Sequence, residues 1–225
     1  MIFKYFFTLL GLALVFTAHA QLREPYTFEQ VSNLDIGVRS ESILLQLDYQ
    51  HIHRLNPENR FRMDYGIGLI RFRAFDNILY TTQGAEENIN VGLDTFQVVN
   101  AKSTSLNLFL LLNYAPNNRI DFGFSIDVLG FGWGDTQRGL FATGPDDPNP
   151  LGAEGEPEKF NSSIFASGSW RSQFHLRYWV YPRLALHTGL NYWLSTYKIT
   201  EDIDLDRNTF TEGLLFWKVG LGFRL

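Results

Sequence analysis

The sequence predicts an all-β fold: a transmembrane, up-and-down antiparallel β-barrel of about eight strands, preceded by a cleaved signal peptide. Three observations carry this. The chain opens on an export signal, apolar and polar residues alternate with period two along most of the mature chain, and short turn-rich connections take turns with long ones.

The first twenty residues read as a signal peptide rather than as part of the fold. Lys4 supplies a positive charge, Tyr5 to Phe16 is an apolar run, and Ala18-His19-Ala20 presents small residues at the two positions a signal peptidase reads. A helix needs about 20 apolar residues to cross a bilayer, and this run is shorter. The expected organisation is a signal peptide at 1–20 and one barrel domain at 21–225.

Period-two alternation then marks the strands. Leu34, Ile36 and Val38 alternate with Asp35, Gly37 and Arg39, a candidate first strand that a tight turn at Ser40-Glu41 joins to the next. Leu45, Leu47 and Tyr49 alternate with Gln46, Asp48 and Gln50. Phe61, Met63, Tyr65, Ile67 and Leu69 oppose Arg62, Asp64, Gly66 and Gly68. Leu106 to Tyr114 and Arg119 to Val128 repeat the pattern, the latter with Asp121, Gly123, Ser125 and Asp127 on its polar face. Ile164 to Val180 places Trp170, Phe174, Leu176 and Tyr178 against Ser167, Ser169, Arg171, Gln173, His175 and Arg177. Leu184 to Ser195 sets Leu186, Leu190 and Tyr192 against His187, Gly189 and Asn191, and the last strand sets Leu215, Trp217, Val219 and Leu221 against Lys218, Gly220, Gly222 and Arg224. Such alternation means one apolar and one polar face per strand.

Three connections are short and rich in turn residues: 53–60 with Asn56-Pro57, 115–119 with Pro116-Asn117-Asn118, and Tyr181-Pro182-Arg183. The others, 74–103, 134–160 and 199–208, are long. With four prolines and six acidic residues, 134–160 is expected to be an extended, solvated loop.

Period alone does not say which face is inside, because a soluble lipocalin-like barrel alternates too. Three features point the apolar face outward. The polar face is rich in glycine, which relieves crowding inside a narrow barrel, and nearly free of lysine, which a water-facing surface would carry. Its charges balance: Arg62, Arg171, Arg177, Lys218 and Arg224 against Asp48, Asp64, Asp121, Asp127 and Glu212. Opposite charges enclosed together pair, so a salt-bridged lumen is expected rather than an open pore. Finally, Tyr49, Tyr114, Trp133, Tyr181 and Tyr197 fall near strand ends, where aromatic girdles meet the membrane boundaries.

The closing segment Val219-Gly220-Leu221-Gly222-Phe223-Arg224-Leu225 resembles the C-terminal assembly signal of outer-membrane proteins, with Val219, Leu221, Phe223 and Leu225 on its apolar face. In architecture the chain resembles the small barrels of the OmpA/OmpX/OmpW kind. Those usually end in an aromatic residue, whereas here Leu225 is last and Phe223 stands two before it. The resemblance implies a monomer in the cell outer membrane, recognised by the barrel-assembly machinery and surrounded by outer-membrane lipid and lipopolysaccharide.

Several function classes drop out. Cysteine is absent, so a lipoprotein anchor, disulfides and thiolate zinc sites are excluded. A net charge of −5 argues against a nucleic-acid-binding face. No cofactor or metal is expected. His175 and His187 fall on the polar face of adjacent strands and read as members of the lumen network, and His51-Ile52-His53 as a solvated pair beside a turn. Asp202, Asp204 and Asp206 fail the calcium-loop spacing, since Arg207 and Gly213 stand where Gly and Glu are needed. No serine–histidine–acid constellation faces outward, so an enzyme is not expected. The expected lumen network is Arg62, Asp64, Asp121, Asp127, Arg171, His175, Arg177, His187 and Lys218. Two functional readings remain in front. One is a structural or interaction barrel; the other is a narrow conduit for small or apolar solutes, hinted at by inward Phe109, Leu111, Leu214 and Phe216. A soluble periplasmic binding barrel is the third.

Overall fold

The computed structural model describes residues 28–54, 60–81, 94–143, 147–200 and 208–225. The expected signal peptide, the Asn56-Pro57 turn and the Asp202, Asp204 and Asp206 run lie outside the described residues. Alternation along the rest becomes eleven strands among the described residues: β1 (Phe28–Arg39), β2 (Ser42–Arg54), β3 (Phe61–Thr81), β4 (Thr95–Tyr114), β5 (Ile120–Trp133), β6 (Gln137–Ala142), β7 (Leu151–Pro157), β8 (Phe160–Asn161), β9 (Trp170–Tyr181), β10 (Leu184–Ile199) and β11 (Thr209–Arg224).

Eight of these are staves of one closed barrel. Each of β1, β2, β3, β4, β5, β9, β10 and β11 pairs antiparallel with the next. The last returns to the first, in a register from Val31↔Arg224 to Val38↔Trp217. The first hairpin turns at Ser40-Glu41, where Glu41 takes a left-handed φ of 61°. Closure removes the open edges of these staves, and edges are what an all-β chain cannot leave open in lipid.

The faces are those of a membrane barrel. Outward stand Leu34, Ile36, Ile43, Leu45, Ile67, Leu69, Leu108, Leu110, Phe124, Leu190 and Trp217, all exposed. Inward, out of reach of water, stand Asp35, Asp48, Asp64, Asp121, Asp127, Arg171, Arg177 and Lys218. A soluble barrel needs the reverse, so the lipocalin-like alternative is overturned.

Lumen glycines make room for that interior. A Cβ on Gly220 would collide with Asp35 Oδ1 and with the Leu34 carbonyl oxygen, at the β1–β11 seam. The carbonyl belongs to a paired strand and cannot step aside. Gly220→Val is therefore expected to abolish the folded, heat-modifiable band in an unheated-against-boiled detergent gel, because the seam cannot close; an unchanged band would refute this account of the seam.

The long connections are more ordered than the sequence suggests. β3 and β4 run 21 and 20 residues, against 12 and 13 for β1 and β2. They continue past the first hairpin, and β3 pairs directly with β11 through Tyr80↔Thr211. Residues 134–160, expected as an extended loop, instead contribute the β6–β7 hairpin. It inserts between β4 and β10, with Phe96↔Phe141 on one side and Tyr197↔Pro157 on the other. The order β3-β4-β6-β7-β10-β11 thus closes a second, six-stranded ring on the eight-stranded one. Its interior is apolar: Phe72, Leu79, Phe96, Val98, Phe141, Trp193, Tyr197, Phe210 and Phe216 share one buried cluster. Tyr197 belongs to this core and not to an aromatic girdle. The β6–β7 turn is organised by a charged side chain, Asp147. It accepts from the Asn149 and Thr143 backbone N–H groups at 2.9 Å each, and these two bonds hold its carboxyl below the usual range.

One strand expectation is corrected. Ile164 to Ser169 is not strand but a tight turn, bridged by Ser162↔Ser167 and with left-handed Ala166 and Gly168. The cause lies across the wall. β5 and β9 pair only from Ile120↔Tyr178 to Ile126↔Ser172. Above that point β5 bulges and its free carbonyls need donors. Phe160 and Asn161 pair with Phe131 and Gly130, and the Ser162 and Ser163 hydroxyls donate to the Val128 and Asp127 carbonyls.

Candidate functional site

The eight-stranded lumen holds three connected clusters of side chains. Each is built by inward residues of strands far apart in the chain.

The first centres on Arg171 of β9. Its Nη1 donates to Asp48 Oδ2 on β2 at 2.9 Å, and its Nη2 stands in ion-pair contact with Asp48 Oδ1 at 2.9 Å. Its Nε donates to Asp127 Oδ1 on β5 at 2.9 Å, and its backbone N–H to Asp127 Oδ2 at 3.2 Å. Asn107 on β4 donates to Asp127 Oδ2 at 2.7 Å, and the Phe109 ring lies under the guanidinium at 5.1 Å. The planar fork of arginine is what allows one cation to satisfy two carboxylates at once.

The second centres on Asp35 of β1. It meets His187 Nδ1 of β10 at 2.9 Å and Lys218 Nζ of β11 at 3.1 Å. Lys218 donates also to Gln173 Oε1 at 2.7 Å, which in turn accepts from Gln46; Asn191 donates to Gln46.

The third lies toward the short turns. Asp121 accepts from Trp179 Nε1 at 2.9 Å and stands 3.6 Å from Arg177 and 3.7 Å from His175. Arg177 reaches Asn33, Asn33 donates to Gln50, and Gln50 and Asn113 both donate to Asp64. Arg62 is buried on the same inner face of β3. The His175 and His187 rings meet edge to face at 4.6 Å and join the second and third clusters.

All nine expected network residues therefore face the lumen and are buried. Asp35 does as well, and its parity opposite Leu34 and Ile36 is the signal that marks it. The amides Asn33, Gln46, Gln50, Asn107, Asn113 and Gln173 extend the bonding between the charged groups. Glu212 and Arg224, also expected on the polar face, sit nearer the rims. Glu212 pairs with Arg39 at 3.7 Å and Arg224 with Glu29 at 3.3 Å. Phe109, Leu111, Leu214 and Phe216 are buried, the last two in the apolar core. His51 and His53 of β2 stack on Tyr65 of β3 at 5.4 and 5.3 Å on the outer wall. Among the described residues no group of three or more His, Cys, Asp or Glu has the arrangement of a metal site.

A closed sheet with lipid-like side chains outside and paired charges inside has one solvent arrangement open to it. The chain is a transmembrane β-barrel of the outer-membrane kind. No family model matches the sequence, and no curated protein is detectably similar to it. Among solved structures it is similar to Neisserial surface protein A, at 10% identity over 88% of this chain and 96% of that one, with a TM-score of 0.36. It is similar also to Ail, the attachment invasion locus protein of Yersinia pestis, at 10% identity over 88% and 99%, with a TM-score of 0.39. A major outer membrane protein from Thermus thermophilus is 12% identical over 89% and 100%, with a TM-score of 0.40. What makes this chain a membrane barrel is its own pair of faces.

Proposed function

We propose that this barrel is a closed, non-enzymatic monomer of the cell outer membrane, a rigid anchor that holds a folded six-stranded head outside the bilayer. The observation that carries this is a lumen filled at two levels. The ion-paired clusters occupy the eight-stranded part, where Arg171, Lys218 and Asp35 are each 0% exposed. The aromatic cluster occupies the six-stranded part above it, where Trp193, Phe210 and Phe216 are likewise 0% exposed. An ion crossing this lumen would have to break bidentate charge pairs and then traverse hydrocarbon. The barrel-assembly machinery would recognise Val219, Leu221, Phe223 and Leu225 at the end of β11. In support of that role, Val219 and Leu221 are exposed on the outer wall of the closing strand.

Planar-bilayer recording of the folded protein tests the reading. No conductance steps above the bare bilayer are expected. Discrete steps from the unaltered protein would overturn it in favour of a conduit. The apolar upper lumen favours that second reading for apolar solutes only. Slow entry of a hydrophobic dye into protein-free vesicles, against faster entry into vesicles carrying the barrel, would support it.

A further inference from the structure

The outer wall of β3 and β4 changes character at one level. Below it, Ile67 and Leu69 of β3 face lipid beside Leu106 and Leu108 of β4, with Ile67↔Leu108 and Leu69↔Leu106 in register. The next two outward residues of β3 are Arg71 and Arg73, both exposed. Arg73 stands directly across from Lys102 of β4, which is also exposed, and Arg71 directly across from Thr104. Thr104 is in turn opposite Trp133 of β5, whose half-exposed ring suits a membrane boundary. On the other flank, Ile43 and Leu45 of β2 pair with Arg73 and Arg71. None of these flanking residues is acidic. Asn100 accepts from Arg73 Nε at 3.3 Å, and the guanidinium rests on the Phe75 ring at 4.6 Å, so it is held against the wall rather than extended into water.

The three cations thus form a compact outward patch on adjacent strands, one residue step above the last lipid-facing pair. In a protein otherwise short of lysine and net negative, this is a local concentration of positive charge. In a membrane that level is occupied by headgroups, and the anions held there are phosphates. Guanidinium forks match phosphate oxygens, and Lys102 adds a point charge beside them.

We propose that Arg71, Arg73 and Lys102 form a docking site for the phosphate of an outer-leaflet lipid, whose acyl chains lie along Ile67, Leu69, Leu106 and Leu108. The site rests on the transmembrane placement of the barrel. It goes beyond general immersion in lipid by fixing one face of the barrel to a phosphorylated headgroup.

The test uses the full folded barrel in phosphatidylcholine vesicles containing a small fraction of fluorescent phosphorylated glycolipid of the lipopolysaccharide type. Energy transfer from the barrel's tryptophans reports how strongly that lipid is enriched at the wall. Each cation near such a surface is worth about a fivefold enrichment, so the R71Q/R73Q/K102Q variant is expected to lose about a hundredfold. R138Q, which removes a charge from the β6–β7 hairpin, should leave enrichment unchanged. Should the triple variant not fold, R71Q alone is read in the same way and should lose about fivefold. Equal enrichment in the unaltered protein and in the folded variants would overturn the site. So would equal competition by inorganic phosphate at the same concentration, which would make it a site for free anions. Flotation of the vesicles distinguishes failure of the site from failure of the membrane placement: protein left in the aqueous phase would overturn the placement, and the site with it.

Discussion

Arg171→Met lowers the stability of the folded barrel by about 3–5 kcal/mol. Arg171 is wholly enclosed, and three of its side-chain nitrogens stand in ion-pair contact with Asp48 and Asp127. Methionine restores much of the volume but none of the charge, so two carboxylates are left in a space no water reaches. The penalty is chiefly theirs: breaking a buried pair costs far more than the intact pair contributes. The prediction therefore has a second arm. Arg171→Met combined with Asp48→Asn and Asp127→Asn removes the stranded charges and is expected to recover most of the loss. Urea unfolding of the vesicle-reconstituted protein, followed by tryptophan fluorescence, measures both. A single variant as stable as the unaltered protein would mean the cluster is not held as described. The same proteins in planar bilayers connect this to function. A structural lumen loses stability and stays closed, because the aromatic core above is untouched, whereas a gated conduit gains conductance when its Arg171 cluster is removed.

Trp193→Ala carries the other large effect, about 3–5 kcal/mol. Its indole is fully buried at the junction between the two rings and packs on Phe72 at 6.1 Å. Truncation leaves a void among residues of β3, β10 and β11, strands that belong to both the eight-stranded and the six-stranded closure, so neither ring can relax independently. Trp193→Phe is expected to cost much less, since among the described residues the indole Nε1 has no hydrogen-bond partner to lose. Unfolding midpoints of the two variants decide the matter. Equal losses would point to a polar role for the indole, and no loss in either would mean that the head does not depend on this packing.

The two sites differ in how visible they are from sequence. Arg171 declares itself by parity: it alternates with Trp170 and Ser172, and its neighbours of the same parity, Gln173, His175 and Arg177, are all polar. The same logic places Asp64, Asp121, His187 and Lys218 inside, and it marks Asp35, which a simple balance of the face's charges passes over. Trp193 has the same inward parity, but its significance depends on residues that read as loop. From Ile70 on, the inward positions of β3 are apolar, and beyond Ala74 the outward Phe75, Ile78 and Tyr80 are apolar too, as is Val99 on β4. With both faces alike, alternation no longer separates them. The burial phase changes as well, since Ala74 and Leu79 are both fully buried although their positions differ in parity. For the same reason Tyr197 reads as a girdle residue. The 134–160 stretch conceals its hairpin differently. Its glycines and prolines are ordinary loop residues until an unpaired edge of β4 and another of β10 stand ready to receive them.

What each strand presents to either side is written in the order of its residues. The period of two, the glycines and balanced charges of one face, and the hydrocarbon of the other are local properties that any single strand carries. Who meets whom is not local. Asp48 finds Arg171 across 123 residues of chain, and Lys218 finds Asp35 across 183. Those meetings depend on the stagger at which the sheet closes, a property of all the strands together. The second ring above the first has the same origin, since it forms where some staves end and the longer ones must pair with each other to leave no edge open.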